Sequence, residues 1–219
     1  RTLICRYWPA ATHWASRSRL GARYGALEVA TGSIPYAKEF GVAQRATRTL
    51  AEYTSGEWFP SESVNGGGGD GGNLSYLFSL FDPVSAPTLW ADIVAGLPLW
   101  LKIWVEEEAG DQRRAQIYLG PAGTGAPMHY HSQAMNALVR GSKKWFLRHP
   151  SFAHYDRTPV KEWVRRSKDD AEHAVRGAPE DRPSLIQCVQ RAGDILFVPS
   201  GWGHAVLNLE DSVAMTQNF

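Results

Sequence analysis

Three histidines in this chain have the types and spacing to hold one metal ion. His129 and His131 flank Tyr130, and His204 closes the distant run Gly193-Asp194-Ile195-Leu196-Phe197-Val198-Pro199-Ser200-Gly201-Trp202-Gly203-His204. Residues two apart on a β-strand point to the same face, so His129 and His131 are expected to turn inward together while Tyr130 turns away, with His204 as the third ligand. Imidazole suits Fe, Zn, Cu and Ni alike, so the ligand type does not name the ion. A single histidine on an apolar strand is ordinarily a hydrogen-bonded core residue; the grouping of three singles these out. His13, His149, His154 and His173 have no comparable spacing and read as surface or structural residues.

Other chemistries find no support. No serine sits in a Gly-x-Ser-x-Gly elbow, which argues against a nucleophilic triad. The six glycines within residues 65–72 are not followed by Gly-Lys-Ser/Thr, so that run reads as a surface loop and not a phosphate cradle. Asp111 and the Glu106-Glu107-Glu108 run read as an exposed acidic turn. The formal net charge is +1, which gives no electrostatic reason to expect nucleic acid or an anionic membrane as partner. The longest apolar runs are interrupted, as Leu97 to Val105 is by Pro98 and Lys102, so no membrane span is expected. Two cysteines, Cys5 and Cys188, make no disulfide framework and no Cys-x-x-Cys pair. The chain starts at Arg1 with no signal-peptide pattern, which reads as a fragment or processed form; compartment and oligomeric state stay open.

The elements that must position the histidines are mostly short strands. Leu3 to Trp8 and Leu27 to Ala30 read as strands, Ser16 to Tyr24 as a helix stopped by Gly25, and Arg48 to Tyr53 as the start of a helix capped by Thr47 or Thr49. Leu74 to Leu80 reads as a strand and Ser85 to Gly96 as a helix beginning near Pro87. From Gln116 onward seven strand candidates follow: Gln116–Leu119, Ala134–Val139, Lys144–Leu147, Leu185–Arg191, Ile195–Val198, Ala205–Leu209 and Val213–Gln217. Their spacing suggests a sandwich or barrel. Pro159 to Val175 is charged and helical in pattern, with Trp163 and Val164 as its apolar contact. Tyr118, Tyr130, Trp145 and Trp202 lie near the histidines and could line a pocket, with core packing the expected role of most of them.

Gly193, Pro199, Gly201, His204 and Asn208 match every position of cupin motif two, and Gly123, His129 and His131 match motif one, with Asn136 at its usual Glu. More narrowly, Asn136-Ala137-Leu138-Val139-Arg140-Gly141-Ser142-Lys143-Lys144-Trp145 and the closing Thr216-Gln217-Asn218-Phe219 resemble the JmjC family. The likeness extends upstream through Trp8-Pro9-Ala10, Trp14 and Ile34 to Gly41, and is nearest to small hydroxylase-like members and a His-x-His subgroup. The resemblance implies a mainly β fold with flanking helices, a double-stranded β-helix of the cupin or jelly-roll type. It implies one domain over 1–219: N-terminal strands and helices over 1–115 packing on a β-helix core over 116–219, with a helical insert near 159–175. It further implies Fe(II) held by His129, His131 and His204. Lys143 and Thr216 would bind the distal carboxylate of the co-substrate 2-oxoglutarate, and Asn136 and Asn218 would lie near its metal-chelating end.

Two positions depart from the family pattern. His131 stands where a carboxylate is usual, which leaves the metal centre more positive by one charge. Ala126 stands where a co-substrate-contacting Thr is common. Three readings follow: an Fe(II)- and 2-oxoglutarate-dependent oxygenase hydroxylating a protein or peptide side chain; a catalytically silent interaction protein that keeps the shell and possible metal; and a three-His enzyme without 2-oxoglutarate.

Overall fold

The computed structural model describes residues 8–14, 16–32, 34–35, 46–57, 75–103, 114–166 and 185–218. The expected strand up to residue 7, the glycine-rich run and the second half of the 159–175 insert lie outside these residues. Helix α1 (Pro9–His13) opens on proline, whose missing N–H costs nothing at a helix start. Helix α2 (Arg17–Tyr24) is capped by Ser16, whose hydroxyl accepts from the Arg19 N–H at 3.3 Å. After strands β1 (Glu28–Gly32) and β2 (Ala46–Thr49) comes α3 (Leu50–Glu52). Of the two candidate caps it is Thr49 that serves, in a reciprocal box with Glu52: the Glu52 N–H donates to Thr49 Oγ1 at 3.2 Å and the Thr49 N–H to Glu52 Oε2 at 2.8 Å. Arg48 therefore belongs to the strand and not to the helix. A π-helical turn (Tyr53–Glu57) continues α3, and strand β3 (Tyr76–Phe81), α4 (Pro87–Val94) and α5 (Leu99–Ile103) are the remaining elements among the described residues before 114.

Eight strands follow: β4 (Ala115–Gly120), β5 (Gly125–His129), β6 (Ala134–Arg140), β7 (Ser142–Arg148), β8 (Ile186–Arg191), β9 (Ile195–Val198), β10 (Gly203–Asn208) and β11 (Ser212–Asn218). All pairings are antiparallel. They form a seven-stranded sheet in the order β2-β1-β3-β4-β11-β6-β9 and a four-stranded sheet in the order β5-β10-β7-β8, the jelly-roll arrangement. The strands before residue 82 thus extend the same sheet that the later strands build. Among the described residues no helix is long and apolar enough to cross a membrane.

Each strand divides its residues between two faces. On the large sheet, Ala137, Val139, Val213 and Met215 face outward into the main apolar core with Trp8, Trp14, Leu20 and Ile93 of the helical layer. Asn136 and Thr216, one residue out of phase, face the other sheet. Asp92 of α4 ties that layer together by accepting from Arg23 Nε at 2.8 Å and from the Tyr24 hydroxyl, with His13 Nδ1 at 2.7 Å. On the small sheet, Met128, Phe146 and Ala205 pack outward against Val160, Trp163 and Val164 of a helical segment over residues 160–166. The expected contact of Trp163 and Val164 is present, and it backs the strands that carry His129 and His204.

One irregularity decides what faces the interior. His204 pairs with His129, but Val206 pairs with Ala126, so β5 spends three steps where β10 spends two. This bulge lets residues at a spacing of three share the inner face. Gly141 joins β6 to β7 at φ +84°, and a Cβ there would stand 2.5 Å from the Asp211 carbonyl, so only glycine fits this tight turn.

Candidate metal and anion site

The two sheets enclose a cavity of about 580 Å³. His129 at the end of β5 and His204 at the start of β10 are direct cross-strand partners, with ring centroids 4.1 Å apart. His131 joins them from beyond the strand: β5 ends at His129, and the ring of His131 lies 5.4 Å from that of His129 and 4.7 Å from that of His204. The three offer ligand atoms that all lie within 4.8 Å of one another. The expected triad meets, but not by the expected strand alternation, since the chain leaves the sheet before His131. Tyr130 is 39% exposed and packs on Tyr155, and it is also among the residues that line the cavity.

The tautomers are set for metal binding. Each Nδ1 lies against a backbone carbonyl: His129 at 2.9 Å from Pro127 O, His131 at 2.6 Å from Ser132 O and His204 at 3.0 Å from Trp202 O. An Nδ1–H donated to these carbonyls leaves the Nε2 lone pairs for an ion. Burial disfavours the imidazolium form at all three. It holds His129 well below the usual range, helped by His204 and His131, brings His204 down to about 3 with His131 adding to the effect, and lowers His131. All three are therefore neutral at pH 7, the form that binds metal.

The same cavity holds a buried cation. Lys143 on β7 is 1% exposed, while Lys144 points to the opposite face and lies 5.3 Å from the Phe146 ring centroid. The Lys143 Nζ donates to the Tyr76 hydroxyl at 3.3 Å and lies 5.7 Å and 5.6 Å from the ring centroids of Tyr76 and Tyr118. Burial lowers its pKa to about 7. An ammonium in this position lacks a carboxylate partner among the described groups that line the cavity, which suits it to an anionic ligand.

Lys143 also predicts a pH dependence. Between about pH 7 and the unfolded lysine pKa of about 10.4, the unfolded chain binds the proton that the folded chain has released, so stability rises with pH across that window and the penalty is full below it. Thermal melts of the ligand-free protein and of Lys143→Met should differ most below pH 7, with the variant the more stable, and converge toward pH 10.

The polar wall opposite is hydrogen-bonded within itself. Asn136 Nδ2 donates to Thr216 Oγ1 at 2.7 Å, and the Tyr118 hydroxyl donates to Gln116 Oε1 at 2.7 Å. Asn136 Oδ1 is buried with no hydrogen-bond partner among the described residues. Thr216 lines the cavity as expected, although its hydroxyl is already engaged. Asn218 is placed differently: it shares the Thr216 face of β11, but at the solvent-exposed strand end, and is not among the residues lining the cavity.

The aromatic residues divide between the two expected roles. Tyr118, Tyr130 and Trp145 line the cavity instead of serving only as packing, whereas Trp202 sits against His149 with ring centroids 5.9 Å apart. Trp145 is fixed by donating Nε1 to Gln190 Oε1 at 2.8 Å. Sequence reasoning missed Tyr76 and Tyr155 as lining residues. Nothing local marks either, because each reaches the cavity through a long-range pairing. Ala126 lines the cavity three residues before His129, through the β5 bulge.

Comparison with known proteins bears on the same residues. Residues 116–219 match the family described as JmjC domain, hydroxylase. The chain is 30% identical over 232 residues to the Arginine-specific demethylase JMJ22 of Arabidopsis thaliana, covering 97% of this chain and 39% of that protein. It is 31% identical over 135 residues to the 2-oxoglutarate and iron-dependent oxygenase JMJD4 of Danio rerio, covering 55% of this chain and 29% of the relative. It is 38% identical over 96 residues to JmjC domain-containing protein 8 of Homo sapiens, covering 42% of this chain and 33% of the relative. The chain thus spans well under half the length of each.

Proposed function

Residues 116–219 of this chain belong to the JmjC family, and from that premise we propose an Fe(II)- and 2-oxoglutarate-dependent oxygenase that hydroxylates a protein or peptide side chain. One observation carries the reading: three neutral, converging imidazoles share a cavity with a fully buried lysine that lacks an anionic partner there. The relative named a 2-oxoglutarate and iron-dependent oxygenase supports the choice of ion and co-substrate. The one named an arginine-specific demethylase supports a substrate that presents an amino-acid side chain.

The donors fit this assignment. His129, His131 and His204 would hold Fe(II), and three neutral ligands leave its full charge to be met by an anionic co-substrate. Bound there, iron with 2-oxoglutarate and O2 supplies the oxidation of a substrate C–H bond. The protein's own residues do the rest. The Lys143 ammonium pairs with the distal carboxylate, taking up a proton at Nζ when the site is loaded above about pH 7. The unpaired Asn136 Oδ1 faces a ligand able to donate or carry a bridging water. Tyr76, Tyr118 and Trp145 keep bulk water from the interior.

Anaerobic reconstitution with Fe(II), followed by 2-oxoglutarate titration and assay of succinate on admitting O2, tests the reading. Saturable binding and succinate formation are expected; an Fe(II)-loaded protein that binds no 2-oxoglutarate refutes it. A second reading is favoured by His131 in place of a carboxylate: a metal-holding interaction protein without turnover. Metal and 2-oxoglutarate binding with no succinate would select it.

A further inference from the structure

The three histidines share a neighbour that none of the motifs includes, the segment 149–156 between β7 and the helical segment 160–166. It touches the residues beside every ligand. The Asp156 N–H donates to the Met128 carbonyl at 2.8 Å, next to His129. Ala153 passes so close to Gly203, next to His204, that a Cβ on that glycine would stand 3.1 Å from Ala153 Cα. The Tyr155 hydroxyl donates to the Tyr130 carbonyl at 2.7 Å, between His129 and His131, and the two tyrosine rings pack 4.8 Å apart at 45°. The segment is itself anchored, because Val160 and Trp163 just beyond it are buried against Met128 and Ala205.

The ligands differ in how much they need this support. His129 and His204 lie on paired strands, and the register of β5 with β10 already fixes them. His131 lies past the end of β5, where no ladder continues. Its backbone is held by the Gly201 N–H, which donates to the His131 carbonyl at 2.9 Å, and by the Tyr155 bond one residue earlier. These two bonds hold the peptide units on either side of the His131 Cα, from which the third imidazole projects.

We propose that Tyr155 is a positioning residue for His131: its phenol ties down the Tyr130 carbonyl, and so sets whether the third imidazole reaches the ion that the other two hold. The inference rests on the metal-centre reading above. It concerns metal affinity and not catalysis, since the bond exists before any co-substrate arrives.

Cobalt(II) titration of the purified protein, followed by calorimetry, tests it. Tyr155→Phe keeps the ring contact and removes only the hydroxyl. Tyr155 is 41% exposed, so the apo variant should melt at the native temperature. The expected loss of affinity is about tenfold, the lower end for a residue that orients a ligand. In a His131→Ala background the same substitution should have no further effect, because the group it positions is gone. Unchanged affinity of Tyr155→Phe, or a loss that persists in the His131→Ala background, overturns the positioning role and leaves the metal centre standing. A native protein that binds no cobalt overturns both.

Discussion

His204→Ala is expected to weaken divalent-ion binding by at least about a hundredfold, more than loss of a residue that merely orients a ligand. His204 is 3% exposed and faces His129 directly across the β5–β10 ladder, so no neighbouring side chain can move into its place without breaking the register. Water could fill the vacated ligand position, but the remaining His129 and His131 would then hold the ion with a two-residue set. The apo protein should tolerate the change. A histidine kept neutral by burial, with its pKa brought down to about 3, contributes no charge whose removal would strand a partner. Calorimetric titration with Co(II) or anaerobic Fe(II), together with the apo melting temperature, separates loss of the site from loss of the fold. Unimpaired affinity would mean that the histidines meet for packing alone.

Lys143→Met should divide the site differently, leaving metal affinity intact while 2-oxoglutarate affinity falls about a hundredfold. A charge-assisted hydrogen bond to a carboxylate is worth about 1.5–3 kcal/mol, and the upper end corresponds to that loss. Methionine matches the length of the aliphatic stem and fills the space beneath Tyr76 and Tyr118 without a charge. The measurement is 2-oxoglutarate titration of metal-loaded protein, with succinate as a dicarboxylate that probes the same ammonium. If the variant bound 2-oxoglutarate as the native protein does, the buried ammonium would need another anion. If both proteins bound it and neither formed succinate, the ligand would serve the silent reading.

Much of the frame was legible because its signals are local. The seven strand runs after residue 116 carry apolar alternation or β-branched stretches, and Ser16, Thr49 and Pro87 mark their helix starts by cap chemistry that operates within three residues. β5 was not among the strand candidates. Gly125-Ala126-Pro127-Met128 has the composition of a turn; it becomes a strand because β10 templates it, and its place at the edge of the four-stranded sheet tolerates Pro127. The histidine grouping could be found from motif spacing, but the spacing of two suggested a strand geometry, and the strand ends two residues short of His131. Tyr76 and Tyr155 were invisible for a related reason. The first depends on the register of β3 against β4 and the second on a hydrogen bond to a carbonyl, and neither leaves a mark on the residue types around it. Asn218 illustrates the converse: strand periodicity gives the correct face but not how far along the strand the cavity reaches.

The pairing of His129 with His204 also has a consequence for how the protein is made. β5 leaves the ribosome well before β10, so the ion's two strand-borne ligands are synthesised apart and cannot meet until the strand that contains the last of them has docked. An ion held between them would act as a clasp on a long chain segment, absent from the unfolded state and worth about 2.7 kcal/mol of added stability at a free concentration one hundred times its dissociation constant. A nascent chain or a truncation ending before β10 would have no clasp to close, which makes metal retention a report on whether β10 has docked beside β5.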